Sequence, residues 1–193
     1  MIEDFIPQTQ PDMCYSAGLL NIVNELGARP DHTPIHYSLR QMNNICGYRV
    51  GQHCQDNMVP HWLSADLEPH GYRFVQEPGN EADLEFLTGV VNDPRKSFPL
   101  VNVSPNYFDH VGVRNRGAYK WDHILVIMGV NHEVVYFYDP YQTFYRRSTR
   151  VEEDPRYIPI PIFLELWEAA FDIRWMCWIE PTDTVQTKLP NGE

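Results

Sequence analysis

Positive charge is scarce in this sequence: 15 Lys and Arg face 26 Asp and Glu, giving a formal net charge of −11 at pH 7. Only three lysines occur, Lys96, Lys120 and Lys188. That balance argues against nucleic acid or an anionic membrane as the main partner, because both reward clustered cationic side chains. Long apolar runs are missing too, and none approaches the ~20 residues that span a bilayer. The opening MIEDFIPQTQ has no basic stretch, so neither membrane insertion nor a secretory signal is expected, and the expected location is the cytoplasm. Four cysteines in 193 residues are too few and too scattered for a disulfide framework. Repeats, low-complexity segments and long linkers are also lacking. What remains is one globular domain over 1–181, 43% hydrophobic and long enough to bury a core, with 182–193 as a fraying tail.

The first half reads as helical. Apolar residues recur at helical spacing from Cys14 to Leu26, and Gly27 stands where a C-cap glycine is expected. Pro34 to Asn43, Pro60 to Glu68 and Glu81 to Val91 give three shorter helices. Strands dominate the second half. Leu100 to Val103 is a short apolar stretch, and His123 to Val130 with Val134 to Tyr138 reads as a β-hairpin. Thr143 to Arg147 offers a further strand, Ile162 to Ala170 a late helix, and Arg174 to Ile179 a closing strand. Helices followed by an antiparallel sheet is an α+β pattern.

Among the cysteines, Cys14 stands in the setting most suited to chemistry. Pro11 and Asp12 precede the helical segment, which places Cys14 in its first turn. There the unpaired backbone N–H groups and the helix dipole favour a thiolate, the nucleophilic form. Gln8, six residues earlier, can supply an amide N–H to an oxyanion hole, and Gln10 competes for that role. His123 opens one strand of the hairpin and Asp139 closes the other, so the carboxylate can hold the imidazole in the tautomer a general base needs. The two share a sheet face only if the loop is odd in length or a bulge intervenes.

Other residues have weaker claims. His32, His36, His70 and His132 read as surface or structural residues. The run Cys46, His53, Cys54, His61 invites zinc, but its C-x6-H-C-x6-H spacing matches no familiar tetrahedral pattern, and no metal or cofactor is expected. Cys46 and Cys54 can pair only outside a reducing compartment. Asp122, Glu133 and Asp109 have no partner that the sequence places. Trp121 stands close enough to His123 to wall a substrate groove.

Gln8, Cys14 with Ala17 after it, the helix ending at Gly27, a histidine heading a strand with Gly129 behind it, and Asp139-Pro140 together resemble the papain-like cysteine peptidases. They most resemble the bacteriocin-processing (double-glycine leader) branch and its stand-alone relatives. Leu67 to Tyr72 also resembles the helix end before that branch's Gly-Tyr strand, and Phe98 to Val101 the strand leading toward its histidine. The resemblance implies Cys14 as nucleophile, His123 as base, Asp139 as its orienter and Gln8 at the oxyanion, acting on a peptide or protein substrate. Met13 and Tyr15 depart from the Asp-Cys-Gly pattern of many relatives, and Tyr15 narrows any cleft beside Cys14. The transporter that often follows such a domain is not in the sequence, so this copy is expected to act alone or with a separate protein partner. The same apparatus serves deamidases and transglutaminases, and a binding module on a retired enzyme fold is the alternative of another class.

Overall fold

A computed structural model of the chain describes residues 5–10, 12–49, 59–78, 82–111, 122–141, 156–170 and 174–182. The helices are α1 (Cys14–Gly27), α2 (Leu39–Ile45), α3 (Val59–Leu67), α4 (Leu84–Asn92), α5 (Tyr107–His110) and α6 (Ile160–Glu168). The strands are β1 (Tyr72–Pro78), β2 (Leu100–Val103), β3 (His123–Val130), β4 (Val134–Tyr138), β5 (Arg156–Pro159) and β6 (Trp175–Pro181). They form one antiparallel sheet in the order β1-β6-β2-β3-β4-β5. The mixed α+β architecture expected from the sequence is the one observed.

Both faces of the sheet are covered, which explains why HILVIMGV shows no polar alternation. Successive strand side chains point to opposite faces. Ile124 and Val126 join a core with Leu19, Ile22 and Val23 of α1, Met42 of α2 and Leu63 of α3. Leu125 and Ile127 join a second core with Leu87 of α4, Phe108 of α5 and Trp167 of α6. A strand that is apolar on both sides is the sequence signature of a sheet sandwiched between helices.

Several expectations shift on contact with the structure. The helix read from Pro34 starts instead at Leu39, because Ser38 caps it: its side chain accepts the Gln41 N–H while the Gln41 side chain accepts the Ser38 N–H. Residues β1 and β5 contribute were not recognised as strands, apart from the Gly-Tyr resemblance at Tyr72. The closing strand is internal, since β6 lies between β1 and β2. Gly27 is not a left-handed cap, because α1 runs through it and ends on Ala28 in right-handed conformation. Its role is close approach: a Cβ on Gly27 would stand 2.1 Å from the Ile35 carbonyl oxygen. Pro181 ends β6, and the Thr182 N–H donates to the Gly71 carbonyl at 2.8 Å. Thr143 to Arg147, Trp121, His53, Cys54 and 183–193 lie outside the described residues.

Candidate active site

The approach to the site is built by α1 itself. Asn21, buried on that helix, accepts the Ile6 N–H at 2.7 Å and donates to the Ile6 carbonyl at 2.7 Å, so its amide mimics a paired peptide group. The same segment stacks Phe5 on Tyr138, with ring centroids 4.8 Å apart, and hands the Gln8 N–H to the Pro140 carbonyl at 2.8 Å. Gln8 is thereby fixed beside the end of β4, and it is buried, with 1% of its surface exposed. Its Nε2 donates to the Gln10 carbonyl at 2.8 Å, and a primary amide carries a second N–H. The Gln10 side chain is exposed.

Cys14 is the first residue of α1 and half-buried. Met13 stands at the N-cap with no side-chain capping hydrogen bond, so no cap oxygen competes there for the helix-end N–H groups. Asp12 is engaged from another direction, accepting the Tyr48 hydroxyl at 2.8 Å. The start of α1 lies at the same sheet end as the start of β3. Tyr15 meets Trp175 edge-on at 5.6 Å, the Trp175 N–H donates to Asn102 Oδ1 at 2.9 Å, and Asn102 Nδ2 donates to Asp122 Oδ2 at 3.0 Å. That chain of contacts runs from the neighbour of Cys14 to the neighbour of His123. It also gives Asp122 the partner that sequence alone did not.

His123 and Asp139 are brought together directly: Nε2 of the imidazole lies 2.6 Å from Oδ1 of the carboxylate, and both side chains are buried. A bulge makes this possible. Near the turn, Val130 pairs with Val135 and Gly129 with Tyr136, a register that continued unchanged would set His123 and Asp139 on opposite faces. Between Ile127 and Gly129 the register shifts, so that Ile127 pairs with Phe137 and Val126 with Tyr138. Beyond that bulge the two residues share a face, as diagonal neighbours.

The carboxylate has further anchors. Oδ1 also accepts the Tyr141 N–H at 2.8 Å, and Oδ2 accepts the Tyr107 hydroxyl at 2.8 Å. Tyr107 and Phe108 flank the imidazole at centroid distances of 5.5 and 4.8 Å, and Tyr141 adds an edge contact at 6.2 Å. Sequence reading missed Tyr107 altogether. The signal was present only as an aromatic pair placed a few residues beyond β2, the strand that pairs with β3. With Nε2 committed to Asp139, the nitrogen left for proton transfer is Nδ1, which is buried and has no hydrogen-bond partner among the described residues. β3 packs against the thiol-bearing helix through the face of Ile124, which Tyr138 of β4 shares, whereas the imidazole sits among the aromatics of the other core.

The remaining candidates are scattered. His32 lies on Tyr72 and near the Pro94 carbonyl, His132 and Glu133 are exposed at the hairpin tip, and Asp109 and His110 are exposed on α5. Cys46 and Cys177 are buried in the core. Among the described residues no group of three or more His, Cys, Asp or Glu converges as metal ligands would. No helix among them is long and apolar enough to cross a membrane.

A six-stranded antiparallel sheet with the helix of Cys14 laid over one face defines a papain-like peptidase fold. The chain is similar to the crystal structure of a double glycine motif protease from an AMS/PCAT transporter in complex with the leader peptide, with a TM-score of 0.51. The likeness covers 93% of this chain and 91% of that one at 16% sequence identity, so what the two share is the fold. No protein-family model and no curated protein matches the sequence.

Proposed function

We propose that the protein is a cysteine peptidase that cleaves a peptide bond through a thioester at Cys14. The observation that carries this reading is the buried His123–Asp139 pair at 2.6 Å, which leaves Nδ1 without a hydrogen-bond partner among the described residues. An apolar pocket gains nothing from a histidine and a carboxylate at 1% and 0% exposure unless they act together.

In this mechanism Nδ1 of His123 takes the Cys14 proton, giving a thiolate and an imidazolium whose Nε2–H is held by Asp139. The thiolate attacks the peptide carbonyl carbon, and the oxyanion is met by the side-chain amide of Gln8 and a first-turn backbone N–H of α1. Collapse breaks the C–N bond as His123 delivers its proton to the leaving amine. Water, deprotonated by the same Nδ1, then attacks the thioester and frees the acid product and the thiol. Gln8 is favoured over Gln10 because it is buried and its backbone N–H is held by the Pro140 carbonyl, whereas Gln10 is exposed. The peptide substrate is supported by the fold's likeness to a protease captured with a leader peptide.

The test is a comparison of peptide termini generated from a complex proteome by the wild-type protein and by Cys14→Ala. New termini made only by the wild type support peptidase action. Glutamine-to-glutamate mass changes without new termini would replace it with deamidation, and no Cys14-dependent product of either kind would leave a binding module.

A further inference from the structure

We infer that Tyr107 is a positioning residue of this site: its hydroxyl locks the plane of Asp139 so that Oδ1 stays on the His123 imidazole. The inference rests on the proposed cysteine chemistry and extends it to a fourth side chain. Tyr107 is fully buried, opens α5, donates its O–H to Asp139 Oδ2 at 2.8 Å, and lies nearly parallel to the His123 ring, at 5.5 Å and 18°. One side chain therefore fixes both members of the pair, the carboxylate by a hydrogen bond and the imidazole by stacking.

The need for such a lock follows from the torsions. χ2 of an aspartate is a broad, soft rotation, and a single hydrogen bond to one oxygen leaves the carboxylate plane poorly defined. Here Oδ1 is shared by the imidazole and the Tyr141 N–H, so only a donor on Oδ2 sets the second point of the plane. Without the phenol O–H, Oδ2 would lose a hydrogen-bond donor in a buried setting lined by aromatic rings. The carboxylate would then rotate or take up a proton, and either change weakens its hold on Nε2.

α5 is itself held in place. The Tyr107 N–H donates to the Ser104 carbonyl at 2.9 Å, and the Ser104 N–H donates to the Leu166 carbonyl of α6 at 2.8 Å. The short helix is thus pinned between the end of β2 and the helical layer, which suits a scaffold for a catalytic pair. Among the described residues, the polar or titratable groups facing the imidazole are Asp139, which follows β4, Tyr107 from α5 and Tyr141 beyond β4, while Asp122 adjoins it in the chain and is held by Asn102.

The test is proton NMR of the intact protein, reading the low-field resonance of the His123 Nε2–H, identified by its loss in His123→Ala. Tyr107→Phe keeps the ring and removes only the hydroxyl. The expected result is that this resonance moves upfield or broadens through faster exchange, while the Cys14 alkylation rate at about pH 6 falls about tenfold. Labelling the native sequence with 3-fluorotyrosine, which makes the phenol a stronger donor without deleting it, is expected to move the resonance as well. A double-mutant cycle with Asp139→Asn is expected to be non-additive, because both changes act through one carboxylate. A resonance with unchanged position and exchange in both Tyr107→Phe and the fluorinated protein reduces Tyr107 to a core residue and overturns the inference. Failure of the peptidase reading looks different: Cys14 alkylation would then be indifferent to His123→Ala, whatever Tyr107 does to the resonance.

Discussion

His123 and Asp139 meet at 2.6 Å although they are diagonal, not opposite, in the β3–β4 ladder, and the bulge between Ile127 and Gly129 sets that relationship. The charge and the geometry of the pair are separable. Asp139→Asn can keep an oxygen on Nε2 and turn its amide toward the Tyr107 oxygen, so the shape survives without the charge. The expected loss of kcat/KM is about tenfold for Asp139→Asn and about a hundredfold for Asp139→Ala, which also strands buried donors. Steady-state kinetics on any peptide found to be cleaved checks the ratio. Equal losses would mean that charge alone matters.

Gln8 and Gln10 separate by burial. Gln8→Ala removes the proposed oxyanion donor and is expected to lower kcat about 10²-fold with little change in KM. Gln10→Ala leaves its backbone carbonyl in place to hold Gln8, and its effect is expected to stay within about twofold. The same kinetic assay reads both.

Two glycines in helices are expected to respond in opposite directions to alanine. At Gly27 a Cβ would meet the Ile35 carbonyl oxygen at 2.1 Å, a backbone atom that cannot step aside. Gly27→Ala is therefore expected to cost about 2 kcal/mol or more. At Gly89, inside α4, a Cβ meets nothing within 4 Å, and removing glycine from a helix interior is expected to stabilise by roughly 0.5–1 kcal/mol. Urea denaturation of the two variants gives the signs.

Stability should fall at both ends of the pH scale. Burial pushes the Glu180 carboxyl up, but hydrogen bonds from Trp178 and Arg73, with the charges of Arg73 and Lys96, outweigh it and hold the group below its usual range. Asp93 is lowered as well, chiefly by its hydrogen bond from Arg95. A depressed folded-state pKa gives stability that is present above the ordinary values of 4.5 for Glu180 and 3.8 for Asp93 and is lost as pH falls through the folded value. Burial raises the Tyr37 phenol, aided by its hydrogen bond to Asp66, and burial also raises Tyr72. Those raised groups give stability that is full below pH 10.0 and is lost as pH rises through their folded values. Thermal unfolding across pH is expected to show a flattened acid limb for Glu180→Gln and a flattened alkaline limb for Tyr37→Phe.

What the sequence disclosed and what it hid divide along the range of the interactions. The α1 start at Cys14, β2, and the hairpin from His123 to Tyr138 were legible because apolar pattern and β-propensity are local properties. The α+β class and its papain-like resemblance followed from the order of those elements. Hidden were features that depend on residues far apart in the chain: Asn21 clamping Ile6, Asn102 bridging Trp175 and Asp122, and Tyr107 reaching Asp139. Gly27 was noticed for the wrong reason, since its demand comes from Ile35 crossing the helix and not from backbone handedness. The spacing of His123 and Asp139 demands an odd loop or a bulge, and only the paired register places that bulge.

The measurement closest to the centre is the alkylation rate of Cys14 by iodoacetamide across pH, read by mass spectrometry in the wild type and in His123→Ala. If the imidazole reaches over the sheet rim to the sulfur, the wild-type rate holds a plateau down to about pH 6, and loss of His123 returns it to an ordinary thiol curve rising near pH 8.5. Superimposable curves for the two proteins would contradict the account, since the thiol and the imidazole would then be strangers sharing one end of a sheet.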